Sequence, residues 1–510
     1  MFSQINSCGL IGIDAFEVFV QTDISNGIPI FEIVGLPDAA VREAKERVRA
    51  AVKNMGFQFP AKRIIINLAP ASQKKAGSIY DLPITVSILA ATEQINIDDT
   101  KNSMFIGELS LDGTLNSIDG VLPMVIYAYT KGYKKIFVPY ENADEAAVIS
   151  GIEIYPVKTI RQLYEHLSGE KEIKPHTVDL NEYFSKQSLS LLDFADVKGQ
   201  ESVKRALEIA AAGNHNVLMI GSPGTGKTML AKRMPDILPD LTFDESLEVT
   251  KIHSIAGTLP KDTPLILTRP FRSPHHTISA SGLSGGGQIP KPGELSLSHN
   301  GILFLDELPE FRRDVLEVLR QPLEDSELTI SRVNATLTSP CNIMLIASMN
   351  PCKCGFLGDK RKQCTCTPHQ INLYRSKISG PLLDRIDIQI EVPSVDYDDL
   401  SSHKRGESSN QIKERVNKAR KIQLERYRDL NIYSNSQLSA GLIDKYCPLG
   451  DSENAMLKAA FDNLGLSARA HSRILKVART IADLDGSENI TASHIAEAIQ
   501  YRSLDRKYFE

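Results

Sequence analysis

Long apolar runs are missing from this sequence. Nowhere in its 510 residues does a stretch approach the roughly 18 apolar positions that a membrane-spanning helix needs. Basic residues are missing from its start: the first lysine or arginine is Arg42, which argues against a secretory signal with a charged leader. Positive charge is not in surplus either. The 58 lysines and arginines face 63 aspartates and glutamates, for a net charge of −5. Any polyanion must therefore be met by a local patch or pore rather than by the chain at large. Cysteine is scarce, seven in all with four in one cluster, which does not resemble a secreted disulfide framework. At 42% hydrophobic and 24% charged the composition is ordinary for a globular protein, and the length leaves room for about three domains. These features predict a soluble cytoplasmic protein with no membrane partner.

What is present centres on residues 216–228, NVLMIGSPGTGKT. The apolar run Val217–Ile220 reads as a strand, and Met229–Met234 reads as helix. Between them Gly221, Ser222, Pro223, Gly224, Thr225, Gly226, Lys227 and Thr228 match G-x-x-x-x-G-K-[ST] in the strand–turn–helix context that gives this pattern meaning. Glycines let backbone N–H groups crowd around phosphate oxygens, and the helix N-terminus adds partial positive charge. Lys227 is expected to reach the β- and γ-phosphates and the Thr228 hydroxyl to ligate Mg²⁺. The chain is therefore expected to bind ATP.

Further parts follow in order. DFADVKGQ (193–200) resembles the segment lining the adenine pocket of AAA+ ATPases and nominates Val197, Gly199 and Gln200. The buried strand Gly301–Leu305 ends in Asp306 and Glu307, a Walker B pattern. Asp306 is expected to hold the magnesium and Glu307 to polarise the attacking water. A second apolar strand, 342–349, ends in Asn350, where AAA+ proteins keep sensor 1. SGPLLDRIDIQIEVP offers Arg385 as an arginine finger toward a neighbouring subunit, with a local ion pair to Asp384 or Asp387 as the alternative. Ser467-Ala-Arg469 opens the helix that carries sensor 2 in these proteins, favouring Arg469 over Arg473.

Two insertions narrow the class. Residues 279–301 resemble the helix-2 insert of magnesium-chelatase-type and MCM-type ATPases, and Leu328–Pro340 reads as a pre-sensor 1 hairpin with Asn334 at its turn. Arg332, Lys291 and Lys261 are candidate pore cations. His275 and His276 are adjacent and do not share a face on a regular element, so the pair is a poor metal site. Cys352, Cys354, Cys364 and Cys366 form two C-x-C pairs suited to a structural Zn²⁺, with reduced loop thiols as the alternative. Residues 411–428 form a strongly basic helix, either a solvated face or a polyanion contact.

The first 167 residues read as an α/β domain, with strands at 16–22, 30–34, 63–68, 104–111 and 135–139 and helices at 39–55, 82–92 and 122–130. GELSLDGTLNSIDGVLPMVIYAYTKGYKKIFVPYEN (107–142) is similar to the second half of the Lon-type serine protease domain. The nucleophile position holds Asp81 and the partner lysine position Leu122, so the proteolytic chemistry has no nucleophile.

Taken whole, the chain resembles the magnesium-chelatase-like AAA+ ATPases of the YifB/ComM family, most specifically in SPHHT, KPGELSLSHNGILFLDELPEF and SMNPCKCG. The resemblance implies a Lon-like α/β domain (1–167), a linker (168–191), an AAA+ P-loop α/β core with a parallel sheet (192–394), a second linker (395–410) and a helical lid (411–510). It also implies a homohexameric ring that hydrolyses ATP to translocate branched or single-stranded DNA. Branch migration during natural transformation, alongside recombination proteins, is the activity it points to. A protein-remodelling ATPase and a chelatase motor acting through partner subunits are the alternatives.

Overall fold

The computed structural model describes residues 1–180, 183, 192–260, 263–286, 291–332, 335–359, 362–395, 406–430, 432–464, 467–504 and 508. Among these no helix is long and apolar enough to cross a membrane. The chain forms two compact units. One comprises Met1–Gln187 with Ser246–Ile266, the other Ser188–Glu245 with Leu267–Glu510.

The first unit is built on a mixed seven-stranded sheet: β1 (Phe2–Ile11), β2 (Asp14–Ser25), β3 (Phe31–Val34), β4 (Arg63–Ala69), β5 (Ser103–Phe105), β6 (Lys135–Pro139) and β7 (Glu153–Val157), in the order β3-β4-β2-β1-β5-β6-β7. β1 and β2 pair antiparallel along their length, Phe2 opposite Asp23. The sequence reading did not assign β1. Its inward positions are Ser3, Ile5, Ser7 and Gly9, only one of them a large apolar residue, and the Ser3 hydroxyl donates to Ser87 O at 2.7 Å inside the core. Helix Ala39–Asn54 starts where expected, with the Asp38 carboxylate accepting from the Val41 N–H at 2.8 Å. Helix Asp81–Ala91 is buried from end to end, as an apolar helix must be. The strand expected over 104–111 is broken. Gly107 donates to Ile79 O and accepts from the Leu82 N–H, both at 3.0 Å, and Glu108–Leu109 pairs instead with Leu115–Asn116.

Asp81 is fully buried, accepts from the Arg47 guanidinium at 2.7 and 3.0 Å and takes the Leu109 N–H at 3.2 Å. Leu122 is fully buried too. Neither position offers a nucleophile or a base, and nearby Ser78 donates to Glu108.

Helix Phe243–Ala256 begins in the second unit, where Thr242 and Glu245 cap it reciprocally, and belongs to the first from Ser246 onward. There the Ser254 hydroxyl donates to buried Glu145, and the Ser254 carbonyl accepts from the Gly120 N–H at 3.1 Å. Glu145 also accepts from the Leu122 N–H at 2.9 Å. Burial raises the Glu145 carboxyl above its usual range against these donors. No feature of the sequence reading placed this segment there.

The second unit carries a wholly parallel sheet of β8 (Val217–Ile220), β9 (Phe271–Arg272), β10 (Gly301–Leu305), β11 (Ile343–Met349) and β12 (Ile388–Glu391), in the order β9-β10-β11-β8-β12. Both faces are covered, so these strands are almost continuously apolar. Val217 and Met219 enter a core shared with helix Ala468–Leu484, whereas Leu218 and Ile220 enter the opposite one with Leu303, Leu305 and Leu345. Each such side chain contributes about 1.5–3 kcal/mol by burial, so four residues hold the strand leading into the glycine-rich loop firmly.

Helix Ser409–Arg426 is an internal strut. Arg415 pairs with Glu208 and Glu407, Arg426 with Asp483 at 2.6 Å, and Arg420 donates to the carbonyls of Ala211 and Ala212 at 3.4 and 3.3 Å. Those arginines are taken up within the fold, which leaves Lys418 and Lys421 exposed on that helix and Arg428 exposed just beyond its end. The hairpin is present as Glu327–Arg332 against Ala335–Pro340. Asn334, the Arg332 side chain and Lys261 lie outside the described residues.

Candidate active site

Parallel strands deliver their C-terminal ends to one edge of a sheet, and three motifs meet there. The glycine-rich loop leaves β8, Asp306 and Glu307 follow β10, and Asn350 follows β11. Gly224 and Gly226 take φ of +80° and +89°, which a side chain would strain. A Cβ on Gly221 would lie 2.5 Å from Val392 O. Lys227 Nζ donates to Gly221 O at 2.6 Å, to Ser222 O at 3.0 Å and to Asn350 Oδ1 at 3.3 Å. Burial lowers its ammonium below the ordinary lysine range, against the pull of Asp306 and Glu307.

The Thr228 hydroxyl donates to Asp306 Oδ2 at 2.7 Å. A hydroxyl and a carboxylate so placed are hard oxygen donors of the kind magnesium takes. The other Asp306 oxygen accepts from Ser348 Oγ and, at 3.1 Å, from the Glu307 N–H. Ser348 was missed at the sequence level. Its only signal was a lone hydroxyl in an otherwise apolar buried strand. Glu307 has φ +56°, an uncommon left-handed backbone for a side-chain-bearing residue. Its carboxylate lies 3.8 Å from His276 Nδ1, a second contact the sequence did not reveal.

The segment nominated for the base pocket is tied to the loop. Gln200 Nε2 donates to Thr225 O at 2.8 Å and to Pro393 O at 3.0 Å, while its buried Oε1 has no partner. Gly199 takes φ +64° and Val197 is buried. From the loop's helix, Arg233 Nε donates to Asp193 O at 2.7 Å, which holds residues 193–197 beside it.

The cysteine cluster is brought together. All four sulfurs of Cys352, Cys354, Cys364 and Cys366 lie within 4.8 Å of one another, with Cys352–Cys354 at 3.4 Å and Cys352–Cys364 at 3.6 Å. The Phe356 N–H leads the groups that lower the Cys354 thiol to about 5. Four soft donors converging on one point fit a tetrahedral Zn²⁺.

Arg385 and Arg469 are not brought to this edge. Arg385 precedes β12, whose Ile388 pairs with Val217 at the start of β8, so it lies at the opposite edge of the sheet from the loop. Four strand residues separate the two edges, about 13 Å at the usual rise. The Arg385 guanidinium donates to Pro381 O at 2.7 Å and pairs with Glu324, not with Asp384 or Asp387; its Nε is buried without a partner. Arg469 pairs with Asp384 at 3.1 Å and Arg473 with Asp387. Together with Lys476 these arginines line a cleft of about 430 Å³. Burial, with Arg320, Arg469 and Arg473 nearby, lowers the Arg385 guanidinium below its ordinary range.

Three family models match in succession: "Subunit ChlI of Mg-chelatase" over residues 20–142, "Magnesium chelatase, subunit ChlI" over 193–400 and its C-terminal part over 406–502. The chain is 44% identical over 498 residues to competence protein ComM of Haemophilus influenzae, covering 97% of this chain and 96% of that one. To protein YifB of Escherichia coli it is 43% identical over 509 residues, covering 99% and 97%. Similarity to Lon protease 2 of Bacillus subtilis is partial, 30% over 188 residues and about a third of each chain. With nearly the whole of both chains aligned at such identity, this chain belongs to the magnesium-chelatase-like AAA+ ATPases of the YifB/ComM family.

Proposed function

We propose that the chain is a homohexameric, ATP-driven motor on DNA, a branch-migration helicase of the ComM type that serves recombination during natural transformation. As an AAA+ ATPase of this family it uses ATP and Mg²⁺. Gly221–Thr228 and Val197, Gly199 and Gln200 bind the nucleotide, and Thr228 and Asp306 hold the Mg²⁺, which neutralises phosphate charge. Lys227 steadies the phosphates, Glu307 polarises the water, and Asn350 orients it. Cys352, Cys354, Cys364 and Cys366 hold a structural Zn²⁺.

The observation that carries the ring is the position of Arg385. A guanidinium at the edge opposite its own glycine-rich loop serves a γ-phosphate only in another copy of the chain. Arg469, and Arg473 beside it, share that cleft and act in the same direction. Support for DNA comes from the near full-length likeness to a competence protein and from the two insertions flanking β10 and β11. The buried Asp81–Arg47 pair weighs against a protease.

The test is ATPase rate against single-stranded, duplex and four-way-junction DNA over a salt series. Stimulation greatest on the junction and falling steeply with salt is expected, since phosphate contacts release counterions. A response flat across all three substrates overturns the DNA assignment and favours a protein or metallocofactor substrate.

A further inference from the structure

Asn216 stands immediately before β8, buried, with both ends of its side-chain amide and both of its backbone groups engaged. Its Oδ1 accepts from the Leu345 N–H of β11 at 2.8 Å, and its Nδ2 donates to Arg385 O at 2.9 Å. A backbone donor on one side and a backbone acceptor on the other fix which way the amide points. The Asn216 N–H donates to Asp387 Oδ2 at 2.9 Å, and the Asn216 carbonyl accepts from the N–H groups of Asp387 and Ile388, both at 3.0 Å. Four bonds thus tie the turn 385–388 to this one residue, and a fifth ties it to β11.

Side chains of similar size cannot repeat this. Leucine would strip a buried N–H of its acceptor and a buried carbonyl of its donor. Aspartate would aim a carboxylate oxygen at Arg385 O and set a second carboxylate beside that of Asp387. The two ends of the attachment also differ in firmness. β8 is laddered along all of Val217–Ile220 to β11 on one side and β12 on the other. Arg385 lies ahead of β12, outside the sheet, where its carbonyl is shared between Asn216 and Arg473 Nη1, the latter at 3.2 Å. Loss of the amide therefore displaces the turn rather than the strand.

We propose that Asn216 is a positioning residue for Arg385, its amide setting where the guanidinium is offered to the nucleotide of the adjoining copy. The inference rests on Arg385 as a finger acting between copies. Such a group works by placement, and a shift of about 1 Å can cost about 100-fold in rate. Asn216 also opens the strand that ends in the glycine-rich loop, so one short strand joins the nucleotide a copy holds to the finger it presents.

The experiment uses Asn216→Ala, Asn216→Ser, Arg385→Ala and Lys227→Ala chains, alone and mixed in pairs. It reads ATPase at saturating ATP, affinity for a fluorescent ATP analogue and the thermal melt. Asn216→Ala is expected to lower kcat by about 10- to 100-fold with nucleotide affinity unchanged. Activity should return on mixing with Lys227→Ala, which brings an intact finger, and not with Arg385→Ala, which brings an intact loop alone. The converse pattern assigns Asn216 to the glycine-rich loop of its own copy and overturns the proposal. Recovery with both or with neither, or a kcat near wild type, overturns it too. Should Asn216→Ala not fold, Asn216→Ser keeps a hydroxyl at the position and carries the same comparison. The reading beneath it fails separately: if Arg385→Ala and Lys227→Ala do not restore each other, the finger between copies falls, whatever the Asn216 variants do.

Discussion

Gly355 of the cysteine loop lies so close to Pro223 of the glycine-rich loop that a Cβ on Gly355 would come within 2.6 Å of Pro223 Cδ. The same Cβ would lie 3.8 Å from the Asn350 side-chain carbon, and Gly355 takes φ +86°. The cysteine loop and the nucleotide site therefore share a wall. Gly355→Ala is expected to weaken ATP binding several-fold, because relief of the clash displaces Pro223, with strain of about 1–2 kcal/mol from the left-handed backbone. A fluorescent-nucleotide titration beside a thermal melt checks this; unchanged affinity would remove the contact from the nucleotide site.

Metal content follows from the same wall. One zinc per chain is expected by elemental analysis, released by a chelator or by thiol modification. Its loss should lower the melting temperature and weaken nucleotide binding together, since the loop that bears Gly355 loses its staple. Stoichiometric loss of zinc with ATP affinity intact would separate the two.

Arg385→Ala rings are expected to be inactive while retaining ATP, and activity should return when they are mixed with a Lys227→Ala chain that cannot hydrolyse alone. Interfaces that combine an intact loop with an intact finger form only in the mixture. Absence of recovery at every mixing ratio would argue against a finger acting between copies.

Asp81→Ser restores the residue type of a Lon nucleophile at that position, and no peptidase activity is expected, because Leu122 supplies no base. The substitution instead strands the Arg47 guanidinium against a buried site. A loss of about 3–5 kcal/mol is expected from breaking such a pair, measured by urea denaturation of the full chain.

Acid should act on the second unit through Asp387. Burial alone would raise this carboxyl, but Arg473, His215 and the Asn216 N–H outweigh it and hold it far below the usual carboxylate range. A depressed folded value means the contribution is fully present above the unfolded value of about 4 and is lost as pH falls toward the folded one. The stability difference between wild type and Asp387→Asn should therefore be constant above about pH 5 and shrink below about pH 4. A difference independent of pH would show that the carboxylate's charge is not what matters.

How far the sequence discloses this protein depends on whether a feature is contiguous. The glycine-rich loop, Asp306 and Glu307 are legible because each is a short string whose flanking strand is also apolar, and local pattern suffices. β1 escaped because Ser3, Ser7 and Gly9 occupy inward positions that apolar alternation would otherwise mark. The cations of 413–426 read as a charged face, yet Arg415, Arg420 and Arg426 find partners that are remote in sequence. Ser348 and His276 become site residues only once strand order sets them beside Asp306 and Glu307. Arg469 reads in sequence as the sensor 2 contact, and only its ion pair with Asp384 shows the edge of the sheet beside which it lies.

Because Ser246–Ile266 completes the N-terminal unit, that unit is still short of a piece when residue 187 leaves the ribosome. At common synthesis rates the missing helix follows about 4–16 s later. Until then Glu145 lacks the hydroxyl of Ser254. The glycine-rich loop and β8 are made during that wait, so the two units cannot mature strictly one after the other. Translation speed between residues 187 and 266, and chaperones acting in that interval, become part of how this protein acquires its fold.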